Sequence, residues 1–203
     1  MVDERGCDET MGIGFPRLIA IGASTGGPKA VQTVLEAMPR DIASIVFIVQ
    51  HMPENFTKSF AERLQKVTGH RVSEAVDQEM AQQGHFYVAK GGVHLLLQEV
   101  KGGIQVRHSL DPSNMLHRPS IDIFLYSFAG LSGSKRAVIL TGMGADGAKG
   151  LHEVRVKGGI TAVENEKDCV VYGMPKAAYE LDPEHQILPL QSIGYFLSGG
   201  NQS

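Results

Sequence analysis

Two hydrophobic periods alternate along this chain. Short, nearly continuous apolar runs occur at Leu18–Ile21, Ser44–Gln50, Ala137–Thr141 and Ile160–Val163. Such runs suit strands of a parallel sheet that is covered on both faces. Between them, apolar residues recur three and four positions apart. Val31, Val34, Leu35 and Met38 form one stripe. Phe56, Phe60, Leu64 and Val67 form a second, and Ile121, Phe124, Leu125 and Phe128 a third. Each stripe predicts one face of a helix. The first helix begins at Lys29, the second ends near Val67, and Ser120 is placed to cap the third. Another helix follows Gly142–Gly147 and runs to about Lys157. A short one follows Gly173-Met174-Pro175, and a last one covers Gln191–Leu197. Arg71–Val76 predicts one more strand.

The region from His85 to His108 breaks this alternation. It reads HFYVA, HLLLQEV and IQVRH, separated by Gly91-Gly92 and Gly102-Gly103. Glycine pairs between β-rich runs signal hairpins, so a small antiparallel insertion is expected here. Ser109–Arg118 reads as a loop. Met1–Pro16 is polar without an apolar period and reads as a tail or linker remnant, leaving residues 17–203 as one domain. Strands alternating with helices predict an α/β fold with a doubly wound, mostly parallel sheet. In such sheets the site lies beyond the C-terminal ends of the strands. Three loops fall there: Gly22–Gly27, His51–Pro53 and Gly142–Gly147.

Composition narrows the functional classes. The 203 residues are 42% hydrophobic, ordinary for a globular domain with a sizeable core. A net charge of −3 gives no basic field for nucleic acid. No apolar run is long enough to span a bilayer, so the chain is not expected to be membrane-embedded. Its acidic N-terminus lacks the n- and h-regions of a signal peptide. Cys7 and Cys169 are the two cysteines, and Cys7 lies in the irregular leader; this favours a reducing cytoplasm over a disulfide framework. Asn55-Phe56-Thr57 matches a glycosylation acceptor, a match that has meaning only in a secreted protein.

The candidate chemistry sits on the three loops. Gly22-Ala23-Ser24-Thr25-Gly26 matches G-x-S-x-G, in which small residues allow a sharp turn that lifts a serine hydroxyl off a strand end. A serine before a helix is also a common cap. The loop is not a P-loop, because Lys29 follows Pro28 without the Gly-Lys-Ser/Thr setting. His51 ends a strongly apolar strand; an imidazole there is suited to accept a serine proton near neutral pH. No histidine shows H-E-x-x-H or another zinc spacing, so no metal is expected.

Gly142–Gly147 supports three readings. Gly142, Gly144 and Gly147 satisfy G-x-G-x-x-G between a strand and a helix, and Glu164 and Glu166 lie about twenty residues on, as in a dinucleotide-binding oxidoreductase. Asp146 opposes that reading, since a carboxylate at the helix start competes with a pyrophosphate for the same N–H groups. Asp146 is otherwise a simple N-cap, or an acid that orients a histidine. Arg118, in His117-Arg118-Pro119-Ser120, is either a loop residue or a group that orients a polar substrate.

The blocks IGASTGG, QHMP, HRPSID, AVILTGMGADGAKGL and CVVYGMPKAA occur in this order. Together they closely resemble the catalytic domain of the chemotaxis protein-glutamate methylesterases, the CheB family, from Leu18 to about Leu197. The resemblance implies a modified Rossmann-like α/β hydrolase with Ser24 as nucleophile, His51 as base and Asp146 as acid. For the oxyanion hole, the Thr25 N–H is expected from the elbow geometry and the Met143 N–H from the resemblance, which implies no cofactor. It implies hydrolysis of glutamate γ-methyl esters on the cytoplasmic helical region of methyl-accepting chemotaxis receptors, with deamidation of particular glutamines. Typical members carry an N-terminal receiver domain. Only Met1–Pro16 precede the first strand here, so the expectation is an excised catalytic domain or a stand-alone homologue.

Overall fold

The computed structural model describes residues 16–113 and 116–199. The tail expected from the sequence falls on residues 1–15, outside the described residues. Seven strands form one parallel sheet: β1 (Arg17–Ala23), β2 (Ser44–Gln50), β3 (Arg71–Glu74), β4 (His85–Val88), β7 (Lys135–Ile139), β8 (Ile160–Glu164) and β9 (Gln186–Leu188). Their order is β3-β4-β2-β1-β7-β8-β9. A separate antiparallel pair is made by β5 (His94–Val100) and β6 (Gly103–Ser109). Six helices are found among the described residues: α1 (Gly27–Glu36), α2 (Glu54–Thr68), α3 (Ile121–Ala129), α4 (Ala148–Val156), α5 (Met174–Leu181) and α6 (Leu190–Leu197).

The central strands are apolar on both faces because both faces are covered. Ile19, Ile21, Val46 and Ile48 pack with α1, α2 and α6 on one side. Leu18, Ala20, Phe47 and Val49 alternate with them and pack with α3, α4, α5 and the β5–β6 pair on the other. Alternation of side chains along a strand makes this partition, and helices on both faces make the sheet doubly wound.

Two sequence expectations change in detail. The HFYVA run is not part of the antiparallel insertion. It forms β4, a buried parallel strand between β3 and β2. Local glycine pairs announce the turns, but whether a run joins the next strand or the main sheet is decided by tertiary pairing. The edge strand β9 has three residues, too few to show a period, and the sequence pattern missed it.

β7 begins two residues before the expected run, with Lys135 and Arg136. Lys135 is buried because its Nζ donates to the carbonyls of Leu131 and Gly133. Arg136 lies over the Phe196 ring and donates to the Phe196 carbonyl. Both charged heads are thereby satisfied at the sheet margin.

The topology prepares a site. From β1 the chain moves outward to β2, then crosses back to β7 on the other side of β1. Loops leaving β1 and β7 therefore diverge, and a crevice opens at their C-terminal ends. The β5–β6 pair buries Leu95, Leu97, Ile104 and Val106 against the α3 side. At its start, His94 Nδ1 accepts the N–H of Ser120 at 3.2 Å, so the pair also anchors the beginning of α3. No helix among the described residues is long and apolar enough to cross a membrane.

Candidate active site

β1 and β2 pair in parallel with Ala23 opposite Gln50. The next residues of the two strands are Ser24 and His51, so register alone sets them side by side. The His51 N–H donates to the Ala23 carbonyl at 3.0 Å, and the Ser24 N–H donates to the Thr141 carbonyl at 3.0 Å. The turn after Ser24 depends on Gly26, whose φ of 84° is left-handed; a Cβ there would also lie 2.6 Å from Val170. Gly26 is the N-cap of α1, and no side chain caps that helix. Ser24 is therefore not a helix cap.

Its hydroxyl turns to His51 instead. Ser24 Oγ lies 3.2 Å from His51 Nδ1, and His51 Nε2 lies 2.8 Å from Asp146 Oδ2. The tautomer that serves both contacts carries its proton on Nε2, which donates to Asp146, and leaves Nδ1 free to accept from Ser24. The His51 and Asp146 side chains are only 6% and 14% exposed.

Asp146 reaches this position in an unexpected way. It is not the cap of the helix that follows it: Gly147 occupies the N-cap of α4 with no side-chain bond. The carboxylate instead joins Ser120, the N-cap of α3 whose hydroxyl accepts from the Ile123 N–H, in capping that helix. Oδ2 accepts the Ile121 N–H at 2.7 Å, and Oδ1 accepts the Asp122 N–H at 3.0 Å and the Ser120 hydroxyl at 2.9 Å. Burial alone would raise its pKa. The hydrogen bonds from His51 and from the Asp122 and Ile121 N–H groups outweigh burial and hold it at about 2. The acid is thus ionised throughout the neutral range.

A sequence profile described as CheB methylesterase matches residues 19–197. The chain belongs to the CheB methylesterase family. It is 44% identical over 178 residues to a protein-glutamate methylesterase/protein-glutamine glutaminase of Geobacillus kaustophilus, covering 87% of this chain and 51% of that protein. It is 48% identical over 180 residues to the protein of the same name from Agrobacterium fabrum, covering 88% and 51%. The crystal structure of the Thermotoga maritima CheB methylesterase catalytic domain superposes with a TM-score of 0.86 at 36% identity, covering 90% of this chain and 97% of that one. The chain spans about half the length of the curated relatives it matches.

Within this CheB-family fold, Ser24 and His51 open onto a cleft of about 380 Å³ that is also lined by Met52, His117, Arg118 and Pro119. Arg118 is exposed at its rim. Thr25, the residue after Ser24, and Met143, the residue after Gly142, are exposed. Neither backbone N–H has a protein acceptor among the described residues. The two loops that carry them are tied together, since Thr141 Oγ1 donates to the Thr25 carbonyl at 2.9 Å. A Cβ on Gly142 would lie 2.7 Å from Ser24 Cβ, so the β7 loop passes close under the serine.

The nucleotide reading of Gly142–Gly147 loses one of its two candidate acids, while Glu166 stays exposed. Glu164 is fully buried, and its Oε2 accepts the Thr141 N–H at 2.7 Å, holding the loop from below. It is not available to a ribose. Asp146 faces His51 and α3 rather than an open helix end. No cluster of His, Cys, Asp or Glu that could hold a metal is present among the described residues.

Two neighbours of the site were given no role of their own by the sequence, although each opens a block of the family resemblance. Gln50, buried at the end of β2, donates from Nε2 to the carbonyls of Ser24 (2.9 Å) and His51 (3.0 Å). His117 stacks on the His51 ring. Gln50 reads as one more strand residue and His117 as part of a loop, because only tertiary contact gives either a role. The ends of the strands were the available hint.

Proposed function

We propose that this chain hydrolyses glutamate γ-methyl esters on the cytoplasmic helices of methyl-accepting chemotaxis receptors, and deamidates particular glutamines of the same receptors. One observation carries the reading: the hydrogen-bonded series Ser24–His51–Asp146 at the mouth of an open cleft. The names borne by the family relatives support the choice of ester.

The steps follow from the residues. His51 Nδ1 takes the Ser24 proton as Oγ attacks the ester carbonyl. Asp146 keeps the Nε2 proton in place and stabilises the imidazolium. The tetrahedral oxyanion is received by the Thr25 and Met143 N–H groups, which have no protein acceptor among the described residues. The imidazolium then protonates the leaving methoxide, and methanol departs. Water, deprotonated by His51, releases the glutamate carboxylate and restores Ser24. With a glutamine the same steps release ammonia. Arg118 at the rim orients a polar group of the receptor segment. The chemistry calls for no cofactor and takes place in the cytoplasm. A receiver domain is the expected regulatory partner.

Labelling with a fluorophosphonate, which captures serines activated by a neighbouring base, tests the assignment. The adduct is expected on Ser24 by mass spectrometry, and lost in His51→Ala. An adduct on another residue, or equal labelling of both proteins, contradicts it.

A further inference from the structure

His51 is held by two hydrogen bonds in its ring plane, one on each nitrogen. Two such bonds leave one motion free: the ring can rock about the line that joins its nitrogens. Rocking bends both bonds at once, and hydrogen bonds weaken steeply as they bend. A second imidazole blocks that motion on one face. The His117 ring lies 4.0 Å from the His51 ring, centroid to centroid, and is inclined by only 22°.

The segment that carries this ring is itself fixed. The Gly92 N–H donates to the Arg118 carbonyl at 3.1 Å. Pro119 and Ser120 are buried, and Ser120 Oγ donates to Asp146. The stacked ring and the carboxylate partner of His51 are therefore locked to one short stretch of chain.

The charge on His117 matters as much as its place. Burial lowers its pKa and the neighbouring His51 lowers it further, against the pull of Asp146. A neutral ring presents its π face to the imidazolium that forms on His51, which attracts it. A charged ring at this distance would repel it. Asp146, from the loop before α4, faces the pair; Arg118 adjoins His117 in its own loop. His94, at the start of β5, bonds the next turn through Ser120.

We infer that His117 is a positioning residue: a neutral stacked wall that keeps the His51 ring in line with Ser24 and Asp146. This inference rests on the hydrolase reading above. It separates into a geometric part and a charge part, and three substitutions distinguish them. His117→Ala removes the wall. His117→Phe keeps a flat neutral ring. His117→Arg keeps a flat group but adds a permanent charge.

The measurements are kcat and KM for methanol release from methylated receptor, the pH–rate profile, and the NMR titration of the His51 imidazole, with thermal melts to verify folding. His117→Ala is expected to lower kcat by about 10–100-fold with KM changed less than about twofold. His117→Phe should recover most of that loss. His117→Arg should move both the acid limb of the rate profile and the His51 titration to lower pH by about one unit. An unchanged kcat in His117→Ala, a Phe variant as slow as the Ala variant, or an unmoved His51 titration in His117→Arg overturns the inference. If the wild-type protein releases no methanol, the hydrolase reading fails. The NMR titration then still decides whether the stack acts on His51.

Discussion

The Ile121 N–H donates to the Asp146 carboxylate at 2.7 Å, so the acid of the site caps a helix that begins 25 residues before it. The same oxygen accepts from His51. Folding of α3 and orientation of the histidine thus share one carboxylate. Asp122, the second residue of α3, returns the arrangement by accepting the Gly150 N–H of α4 at 2.7 Å. The two helix starts are cross-tied through two aspartates, and the site is built on that tie.

Replacement of this acid should therefore affect both chemistry and stability. Asp146→Asn places an amide N–H against Nε2, favouring the tautomer that cannot accept from Ser24. A loss of about 10³–10⁴-fold in kcat is expected. The pH dependence of stability carries the second signature. The folded pKa of about 2 lies below the ordinary 3.8. This stabilisation is complete above about pH 4 and is lost as pH falls through 2. Denaturant melts of the wild type should show it as a contribution on the order of 2 kcal/mol that is missing from Asp146→Asn. Equal acid sensitivity in both proteins would contradict the assignment.

A different pair of groups governs stability at milder acidity. Burial pushes His85 and His185 down to about 4, with the Arg71 charge adding to the effect at His85. Each ring satisfies one nitrogen, His85 with Ser73 and His185 with Thr161; the other is buried without a hydrogen-bond partner among the described residues, with His185 Nε2 4.0 Å from Asp182 Oδ2. In the unfolded chain both rings take up protons near pH 6.5, whereas in the folded chain they wait until about 4. Stability is thus full above pH 6.5 and falls as the pH drops towards 4, by on the order of 2–3 kcal/mol per histidine. Melting temperatures recorded from pH 7 to pH 4 should decline across that window. Substitution of either histidine by Gln should flatten the decline; a slope unchanged in both variants would remove these groups as its cause.

Gln50 ties Ser24 and His51 through their carbonyls. Gln50→Leu leaves the His51 carbonyl without that donor, while the Ser24 carbonyl keeps the Gly27 N–H at 2.8 Å, at a cost of about 1–3 kcal/mol for an unsatisfied buried group. The melting temperature should fall by several degrees. Turnover should fall by more than about tenfold, since Ser24 and His51 lose their common brace. Calorimetry and methanol release on the same preparations test both effects. A stable variant with full activity would show that β-sheet register alone holds the two residues.

The sheet and the three loops of the site were legible in the sequence because each rests on local pattern. A buried parallel strand is apolar throughout, and the glycines or the Met-Pro pair that follow mark its C-terminal end. Ser24, His51 and Asp146 all lie at such ends. That Asp146 caps α3 was not legible. A carboxylate before a helix start suggests the adjacent helix, whereas its real partners are N–H groups of α3, far away in the chain. The same reason hid Gln50, His117 and the pairing of β4 with β2. β9 escaped for want of length.

Methanol release from methylated receptor by the wild-type chain and by Ser24→Ala, measured with thermal melts of both, tests the central claim most directly. The account predicts turnover by the wild type and none by the variant at an unchanged melting temperature, because only the attacking oxygen is removed. Comparable methanol release by a folded Ser24→Ala protein would contradict it.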